Sequence, residues 1–156
     1  MDFFKKFILY TVAILSISNM VGCEKTFEFP KESDFSLSST ASAIQLTPGD
    51  KVTIKSTLEN LTENNYNLNA AAVINKPNFI HVNVYGIDED EIVYIADNIN
   101  VDLKGKQKIS EDNEFTMSKP GKYKAISSVI FEISEPKTNE VRKYTIESDK
   151  IYIDVK

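Results

Sequence analysis

A two-residue alternation of apolar and polar side chains runs through most of the sequence after Ala43 and constrains the fold more than any other feature. Its longest example is the run from Tyr123 to Ile133, in which every second residue faces one side of an extended strand. Ile126 and Ile130 on the opposite side indicate a central strand that is covered, at least in part, on both faces. Shorter runs with the same alternation begin near Val52, Ile80, Phe115, Tyr144 and Ile151.

Turn signals separate these runs at intervals of about 8–12 residues, which is the spacing of a β-sandwich. Thr47-Pro48-Gly49-Asp50 places proline and glycine at the two central positions of a type II turn. Residues 60–69 are rich in asparagine and predict an exposed loop, and Ala70 to Ile74 is either a short helix or a strand. We therefore predict an all-β fold, an antiparallel two-sheet sandwich of about seven to nine short strands.

The stretch Pro120-Gly121-Lys122-Tyr123-Lys124-Ala125 opens the long strand. Its Gly-x-Tyr resembles the tyrosine corner of immunoglobulin-like domains, which implies that the Tyr123 hydroxyl bonds back to the backbone at the entrance of the strand. Antibody-type domains have a cysteine where this chain has Ala125, and the sequence contains no tryptophan. The chain thus resembles a disulfide-free immunoglobulin-like sandwich, with an ordinary core aromatic as the alternative role for Tyr123.

The first 22 residues have the pattern of a secretory signal. Lys5 and Lys6 precede an apolar run from Phe7 to Leu15, and small and polar residues follow it. A membrane-spanning helix is the alternative, but a span requires roughly 20 apolar residues, and Ser16 and Asn19 interrupt this segment. We predict that residues 1–22 are a cleaved signal peptide.

Met20-Val21-Gly22-Cys23 ends this segment and resembles the lipobox of bacterial lipoproteins, with Met20 where leucine is usual. In that family, lipid is attached to the cysteine thiol and the preceding peptide bond is cut. The resemblance implies cleavage between Gly22 and Cys23, and lipid on Cys23 that anchors the protein to the extracytoplasmic face of a cell membrane. Cys23 is the only cysteine, so no internal disulfide competes for its thiol.

The remaining chain divides into a tether and a domain. Residues 23–40 are polar and lack a periodic apolar face, so we predict a lipid-anchored tether, with Phe27, Phe29 and Phe35 able to dock part of it. Residues 41–156 are predicted to form the immunoglobulin-like β-sandwich. The chain has 23 acidic and 18 basic residues, a net charge of −5. This acidic balance argues against a nucleic-acid partner, because phosphates require a basic surface.

No catalytic pattern stands out in the sequence. The only histidine, His81, alternates with apolar neighbours that face the core, so we predict a solvated histidine on the outer face of a strand. One histidine and one cysteine cannot form a zinc site. We expect no cofactor, no catalytic residue and no enzymatic activity.

Acidic residues are the remaining candidates for a ligand or calcium site, because calcium takes several oxygen ligands. The candidates are Asp88, Asp90, Asp97 and Asp102. Their spacing is not that of an EF-hand loop, so a solvated hairpin tip is the alternative and no metal site is predicted.

Two further sets of residues suggest surface roles. Tyrosines among polar residues can bind carbohydrate or protein, and the candidates are Tyr66, Tyr85, Tyr94 and Tyr152, with scattered surface tyrosines as the alternative. Lysines on one side of a strand are typical of a protected sheet edge, and Lys104, Lys106 and Lys108 have this pattern.

The leading functional hypothesis is a non-catalytic binding module on the cell surface, with a membrane contact through Cys23 and a protein or carbohydrate ligand. The alternative is a proteinase-inhibitor-like or chaperone-like envelope protein, since Pro-Gly before one strand and Gly-x-Tyr before another resemble the pattern of intracellular proteinase inhibitors. A metal-dependent enzyme is a third hypothesis and would use the acidic residues between Asp88 and Asp102.

Overall fold

The computed structural model describes residues 27–73, 78–86 and 96–156. These residues form ten β-strands and one short 3-10 turn at Glu32–Asp34. The strands are β1 (Phe35–Ala41), β2 (Gln45–Leu46), β3 (Lys51–Asn60), β4 (Tyr66–Val73), β5 (His81–Gly86), β6 (Ala96–Leu103), β7 (Lys108–Thr116), β8 (Gly121–Ser134), β9 (Val141–Glu147) and β10 (Ile151–Val155).

The first sheet, called the small sheet, contains β1, β3 and β7 in antiparallel order with β3 in the middle. Val52, Ile54 and Leu58 on one face of β3 are buried, whereas Lys51 and Lys55 on its other face are exposed. The alternation in the sequence therefore directs one face of this sheet to the core and the other to solvent.

The second sheet, called the large sheet, is built around β8, which pairs with four other strands. Along one side, the first half of β8 pairs with β10 and the second half with β9. Along the other side, the first half pairs with β5 and the second half with β4. β6 extends the sheet beyond β4, and β2 pairs in parallel with β10. Every residue from 125 to 129 is buried, which confirms the predicted central strand.

Two apolar clusters fill the space between the sheets. Burial of each large aliphatic or aromatic side chain stabilises the fold by about 1.5–3 kcal/mol, so these clusters hold the sheets face to face. The large cluster includes Phe35, Leu58, Leu68, Phe79, Ile80, Leu103, Phe131 and Tyr144. The small cluster consists of Val52, Ile54, Met117, Ala125, Ile153 and Val155.

The predicted all-β, two-sheet sandwich is confirmed, and so are two of its local signals. Gly49 has φ 99° and the amide of Asp50 donates to the carbonyl of Thr47 at 3.0 Å, as a type II turn requires. The Tyr123 hydroxyl donates to the carbonyl of Lys119 at 3.0 Å, which is the bond implied by the tyrosine-corner resemblance. The molecule is therefore an immunoglobulin-like sandwich.

The folded domain begins earlier in the chain than the boundary placed at residue 41. β1 starts at Phe35, inside the segment predicted as tether, and pairs with β3 along its whole length. Phe35 is buried in the large cluster, and Phe27 and Phe29 pack against that cluster. The predicted docking of these three rings is confirmed. The strand was not predicted because three of its seven residues are serines, at positions 36, 38 and 39, which gives it the composition of a linker.

The exposed loop predicted for residues 60–69 is confirmed only for residues 61–65, because β3 ends at Asn60 and β4 already begins at Tyr66. Asn60 is fully buried: its side-chain amide donates to the carbonyls of Asn64 and Lys104, and its side-chain oxygen accepts from Thr62. A single asparagine thus satisfies the turn backbone where the chain crosses between the sheets. The ambiguous segment after Asn69 is a strand as far as Val73.

Candidate functional site

The acidic residues predicted as a weak ligand or metal site do not come together. Asp97 and Asp102 both lie on β6, opposite Ala72 and Asn67 respectively. Five positions of strand separate them by about 17 Å and place them on opposite faces. Gly22, Cys23, Asp88 and Asp90 lie outside the described residues. Within residues 27–73, 78–86 and 96–156, no three histidine, cysteine or acidic side chains are grouped to hold a metal ion.

The solvated position predicted for His81 is wrong, because its exposed fraction is 9%. Its Nε2 lies 2.8 Å from the carbonyl oxygen of Ala71, and since a carbonyl can only accept, Nε2 donates. Two strands pair with β8 on this side: Ala70 of β4 lies opposite Phe131, and His81 of β5 lies opposite Ser128. Ala71 follows Ala70, the last residue of β4 that pairs with β8, so the imidazole of His81 donates to a carbonyl at the point where this strand pairing ends.

We call this place the fork. It is the point along β8 where pairing with β4 ends and pairing with β5 begins, and it includes Phe79 and Ile80, which immediately precede β5. Glu111 of β7 bridges to it from the small sheet. Its carboxylate accepts the backbone N–H groups of Phe79 and Ile80 at 3.2 and 3.0 Å. Partial burial raises the pKa of Glu111, while these two hydrogen bonds and the nearby charge of His81 act in the opposite direction.

Glu111 was not predicted from the sequence, although a signal for it exists. In β7 the partly buried positions are Ile109, Glu111, Asn113 and Phe115, so two polar residues occupy the inward face of an otherwise alternating strand. The Nδ2 atom of Asn113 is buried and has no hydrogen-bond partner among the described residues. An inward carboxylate on an alternating strand therefore marks a contact between the sheets.

Three serines form a closed hydrogen-bonded group between the two apolar clusters. The hydroxyl of Ser39 lies 3.0 Å from that of Ser56 and 2.7 Å from that of Ser127, and Ser56 and Ser127 are 2.7 Å apart. Ser39 and Ser56 are register partners in the small sheet, whereas Ser127 belongs to β8. We call these residues the serine triad. Among the described contacts, each hydroxyl bonds to the other two and none to His81 or a carboxylate, so none has the adjacent base that activates a nucleophile.

The exposed candidate site is a groove on the large sheet, which we call the Tyr152 groove. It is open and has a volume of about 340 Å³. The exposed fractions of Tyr152 and Ile44 are 59% and 58%. The lining residues are Ile44, Gln45, Lys122, Tyr123, Tyr152, Ile153 and Asp154.

The register of three strands determines the polar side of the groove. Asp154 of β10 lies opposite Gln45 of β2 and opposite Lys122 of β8, so an amide, a carboxylate and an ammonium form one row across the sheet. Neighbouring strands are about 4.8 Å apart, so this row spans about 10 Å. Tyr152 precedes Asp154 by two positions and therefore lies on the same face. Asp154 also forms an ion pair with Lys156 at 2.9 Å.

The four candidate tyrosines have different surroundings. Tyr152 is exposed, as its prediction required, whereas Tyr66 and Tyr85 are buried and their predicted surface position is wrong. Tyr66 packs against Phe35, and the ammonium of Lys124 lies 4.5 Å from the ring centre of Tyr85. Tyr94 lies outside the described residues.

The lysines predicted to protect a sheet edge lie at the start of β7, the outer strand of the small sheet. Lys108 is the first residue of β7 and pairs with Glu59 at 3.0 Å. Lys104 and Lys106 belong to the preceding turn instead of the strand, and Lys106 donates to the carbonyl of Leu61.

None of the helical structure in the described ranges is long and apolar enough to cross a bilayer. No family model matches the sequence. No curated protein matches it either.

Two solved structures align with the chain at low similarity. One is the CARDB domain of a Pyrococcus furiosus protein in complex with di-metal ions: 16% identity, TM-score 0.46, with 80% of this chain and 97% of that one covered. The other is the sporulation control protein Spo0M from Bacillus subtilis: 11% identity, TM-score 0.44, with 79% of this chain and 49% of that one covered. At this level of similarity, neither structure bears on what this chain does.

Proposed function

We propose that this chain is a lipid-anchored binding protein of the bacterial cell surface, and that it binds a carbohydrate in the Tyr152 groove without catalysing a reaction. The observation that carries the proposal is an exposed tyrosine ring beside a row of hydrogen-bonding side chains, Gln45, Asp154 and Lys122. The ring offers an apolar platform, and the row offers both donors and acceptors.

A carbohydrate suits this combination better than a strongly charged ligand. Sugar hydroxyls both donate and accept, and so does the mixed row of amide, carboxylate and ammonium. Sugar rings also present C–H faces that can cover the exposed Tyr152 ring. The row carries both signs of charge, because the Asp154 carboxylate lies opposite Lys122 and pairs with Lys156.

The interior groups support a binding role over a catalytic one. His81 donates to a backbone carbonyl, and Glu111 accepts from two backbone amides. The hydroxyls of the serine triad bond to one another. These groups are engaged in holding strands together, whereas a general base or nucleophile needs a reactive atom available to a substrate.

The anchor rests on the lipobox resemblance of Met20-Val21-Gly22-Cys23. Two acyl chains are sufficient for stable anchoring, because each buried CH₂ contributes about 0.8 kcal/mol. The tether between Cys23 and β1 then places the sandwich close to the membrane.

The anchoring proposal is tested by labelling cells with a radioactive fatty acid. We expect label on the wild-type chain and none on Cys23→Ala, which also remains as the longer precursor. Thr26→Ala, outside the lipobox, is the matched control and is labelled normally. Normal processing and labelling of Cys23→Ala would refute the anchor.

The ligand proposal is tested by screening the full-length protein in detergent against an array of bacterial envelope glycans. We expect Tyr152→Ala to weaken binding of a captured glycan at least about tenfold, which corresponds to about 1.4 kcal/mol. Val141→Ala, which shortens an exposed apolar side chain on β9, is the control and leaves binding unchanged. Chemical turnover of the glycan, or capture that Tyr152→Ala does not weaken, contradicts the proposal.

A further inference from the structure

β6 is the outer strand of the large sheet, and no described strand pairs with its far side. An unpaired strand presents a row of backbone N–H and C=O groups that can pair with another chain. Proteins ordinarily block such edges with charged side chains, proline or inward-pointing charges. Whether β6 carries such a block distinguishes an ordinary edge from an interaction surface.

The neighbouring edge strand, β7, is protected in this way. It begins with Lys108 and directs Glu111 towards the space between the sheets. β6 has no lysine, arginine or proline between Ala96 and Leu103. Its charged residues are Asp97, which shares the face of Ile99 and Val101, and Asp102, and the four residues between them are uncharged. The two strands are joined by a short turn. Within the described residues, the centre of β6 from Asn98 to Val101 carries no charge and no proline, unlike the protected strand β7.

The side chains of β6 alternate between two kinds of surface. Ile99 and Val101 face the large cluster but remain partly exposed at the edge. Asn98, Asn100 and Asp102 alternate with them on the outer face and are exposed. Asp102 accepts a hydrogen bond from Asn67 at 2.7 Å, which shows how amide and carboxylate pair across this sheet. No side-chain hydrogen bond of Asn98 or Asn100 is present within the described part of the chain.

We propose that two copies of this chain associate through β6, which pairs with itself in antiparallel register centred on Asn100. This two-fold register places Asn98 of each copy opposite Asp102 of the other, repeating the amide–carboxylate pairing seen between Asn67 and Asp102. It also places Ile99 opposite Val101, so each covers the exposed flank of the other. The two Asp102 carboxylates lie at opposite ends of the paired segment, which avoids like charges in contact. The large sheets of two copies become one continuous sheet, independently of any ligand in the Tyr152 groove.

Disulfide trapping in the full-length chain tests this register. Residues that face each other in an antiparallel pair have Cα atoms about 4.5–5.5 Å apart, within the range that a disulfide spans. With Cys23 as its only cysteine, the wild-type chain provides the background on a non-reducing gel. We expect Asn100→Cys to form a covalent dimer under mild oxidation. Co-expressed Asn98→Cys and Asp102→Cys chains, carrying different tags, should form the mixed dimer.

Two further variants separate specific pairing from random collision. Asp112→Cys places an equally exposed thiol on the protected edge strand β7 and should remain monomeric. Ile99→Lys, combined with Asn100→Cys, should reduce the trapped dimer at least about fivefold, because a lysine at this position blocks the edge. A monomeric Asn100→Cys chain, or equal trapping of Asp112→Cys, overturns the proposal.

Discussion

Buried polar groups connect the two sheets residue by residue. The serine triad links β1 and β3 to β8, and Glu111 links β7 to the fork. The ion pairs among the described residues lie at the surface, as in Lys51 with Glu114, where such pairs contribute about 0–1 kcal/mol. Breaking a buried hydrogen bond lowers the free energy of unfolding more, because the remaining polar group stays buried without a partner.

The alternation of apolar and polar residues did not predict these buried polar contacts. The pattern around β5 correctly directs Val82 and Val84 towards the small cluster. The pattern assigns His81 to solvent only because it assumes that the face of β5 opposite Val82 and Val84 is exposed. Which outer faces become covered depends on the sheet order, and one strand's sequence does not contain that information.

We predict that substitutions in the serine triad are not additive. Ser56→Ala should lower the free energy of unfolding by about 1–3 kcal/mol, because the buried hydroxyl of Ser127 and the partly buried hydroxyl of Ser39 each lose a partner. The triple variant Ser39→Ala, Ser56→Ala, Ser127→Ala should cost less than the sum of the three single variants, since no hydroxyl remains unsatisfied. Urea denaturation measures all four values, and a strictly additive series would contradict the prediction.

A second prediction concerns pH and Glu111. Because burial raises the pKa of its carboxyl above the ordinary value of 4.5, its contribution to stability is complete below that value. The contribution decreases as pH rises through the raised pKa of the folded state. The stability of the wild type relative to Glu111→Gln should therefore fall as the pH rises above about 4.5.

Chemical denaturation across this pH range checks the prediction. Glu114→Gln is the matched control, because it removes a carboxylate from the exposed face of the same strand. An unchanged difference between wild type and Glu111→Gln at every pH would contradict the assigned shift.

Among the elements, β8 is the most predictable and β1 the least. β8 alternates over 14 residues and contains no strand breaker after Gly121. β1 has the sequence Phe-Ser-Leu-Ser-Ser-Thr-Ala, and its polar residues resemble a linker until its pairing with β3 is known. The segment before β1 is held by tertiary contacts: the Tyr144 hydroxyl donates to the carbonyl of Pro30 at 2.9 Å, and Arg142 lies 4.3 Å from the centre of the Phe29 ring.

We predict that Tyr144→Phe loosens this segment without unfolding the sandwich. Loss of one buried hydrogen bond should cost about 1 kcal/mol. Hydrogen exchange at residues 31–34 should accelerate, while exchange in β8 stays slow. Tyr152→Phe removes an exposed hydroxyl and is the control. Equal exchange in wild type and Tyr144→Phe would show that the hydroxyl does not hold the segment.

At the scale of the whole molecule, sequence patterns predicted the two-sheet class but not the strand order. Pairing of β8 with four strands depends on where each neighbour begins and ends along it, and alternation is insensitive to such shifts. The residues that form the Tyr152 groove likewise could not be predicted without the strand order. Tyr152 could be selected as a candidate from the sequence, but Gln45 and Lys122 join it only through the registers of β2 and β8 with β10.

The two apolar clusters should nevertheless unfold together, because β8 contributes Ala125 to one and Phe131 to the other. We predict that Ile54→Val, which shortens a side chain in the small cluster, destabilises the whole sandwich by about 0.5–1.5 kcal/mol. Hydrogen exchange should accelerate equally in Leu68 of the large cluster and in Val52 of the small cluster. Acceleration confined to Val52 and its neighbours would instead show two independently unfolding halves.

The position of β8 near the end of the sequence also sets the order of folding. Four strands of the large sheet pair with β8, and β2 pairs with β10. Because β8 and β10 both follow residue 120, this sheet cannot close on a growing chain until most of the chain exists. Contacts between residues distant in sequence also form slowly. A newly made chain would therefore expose unpaired strands of the large sheet until β8 has been made, and such strands are prone to aggregation.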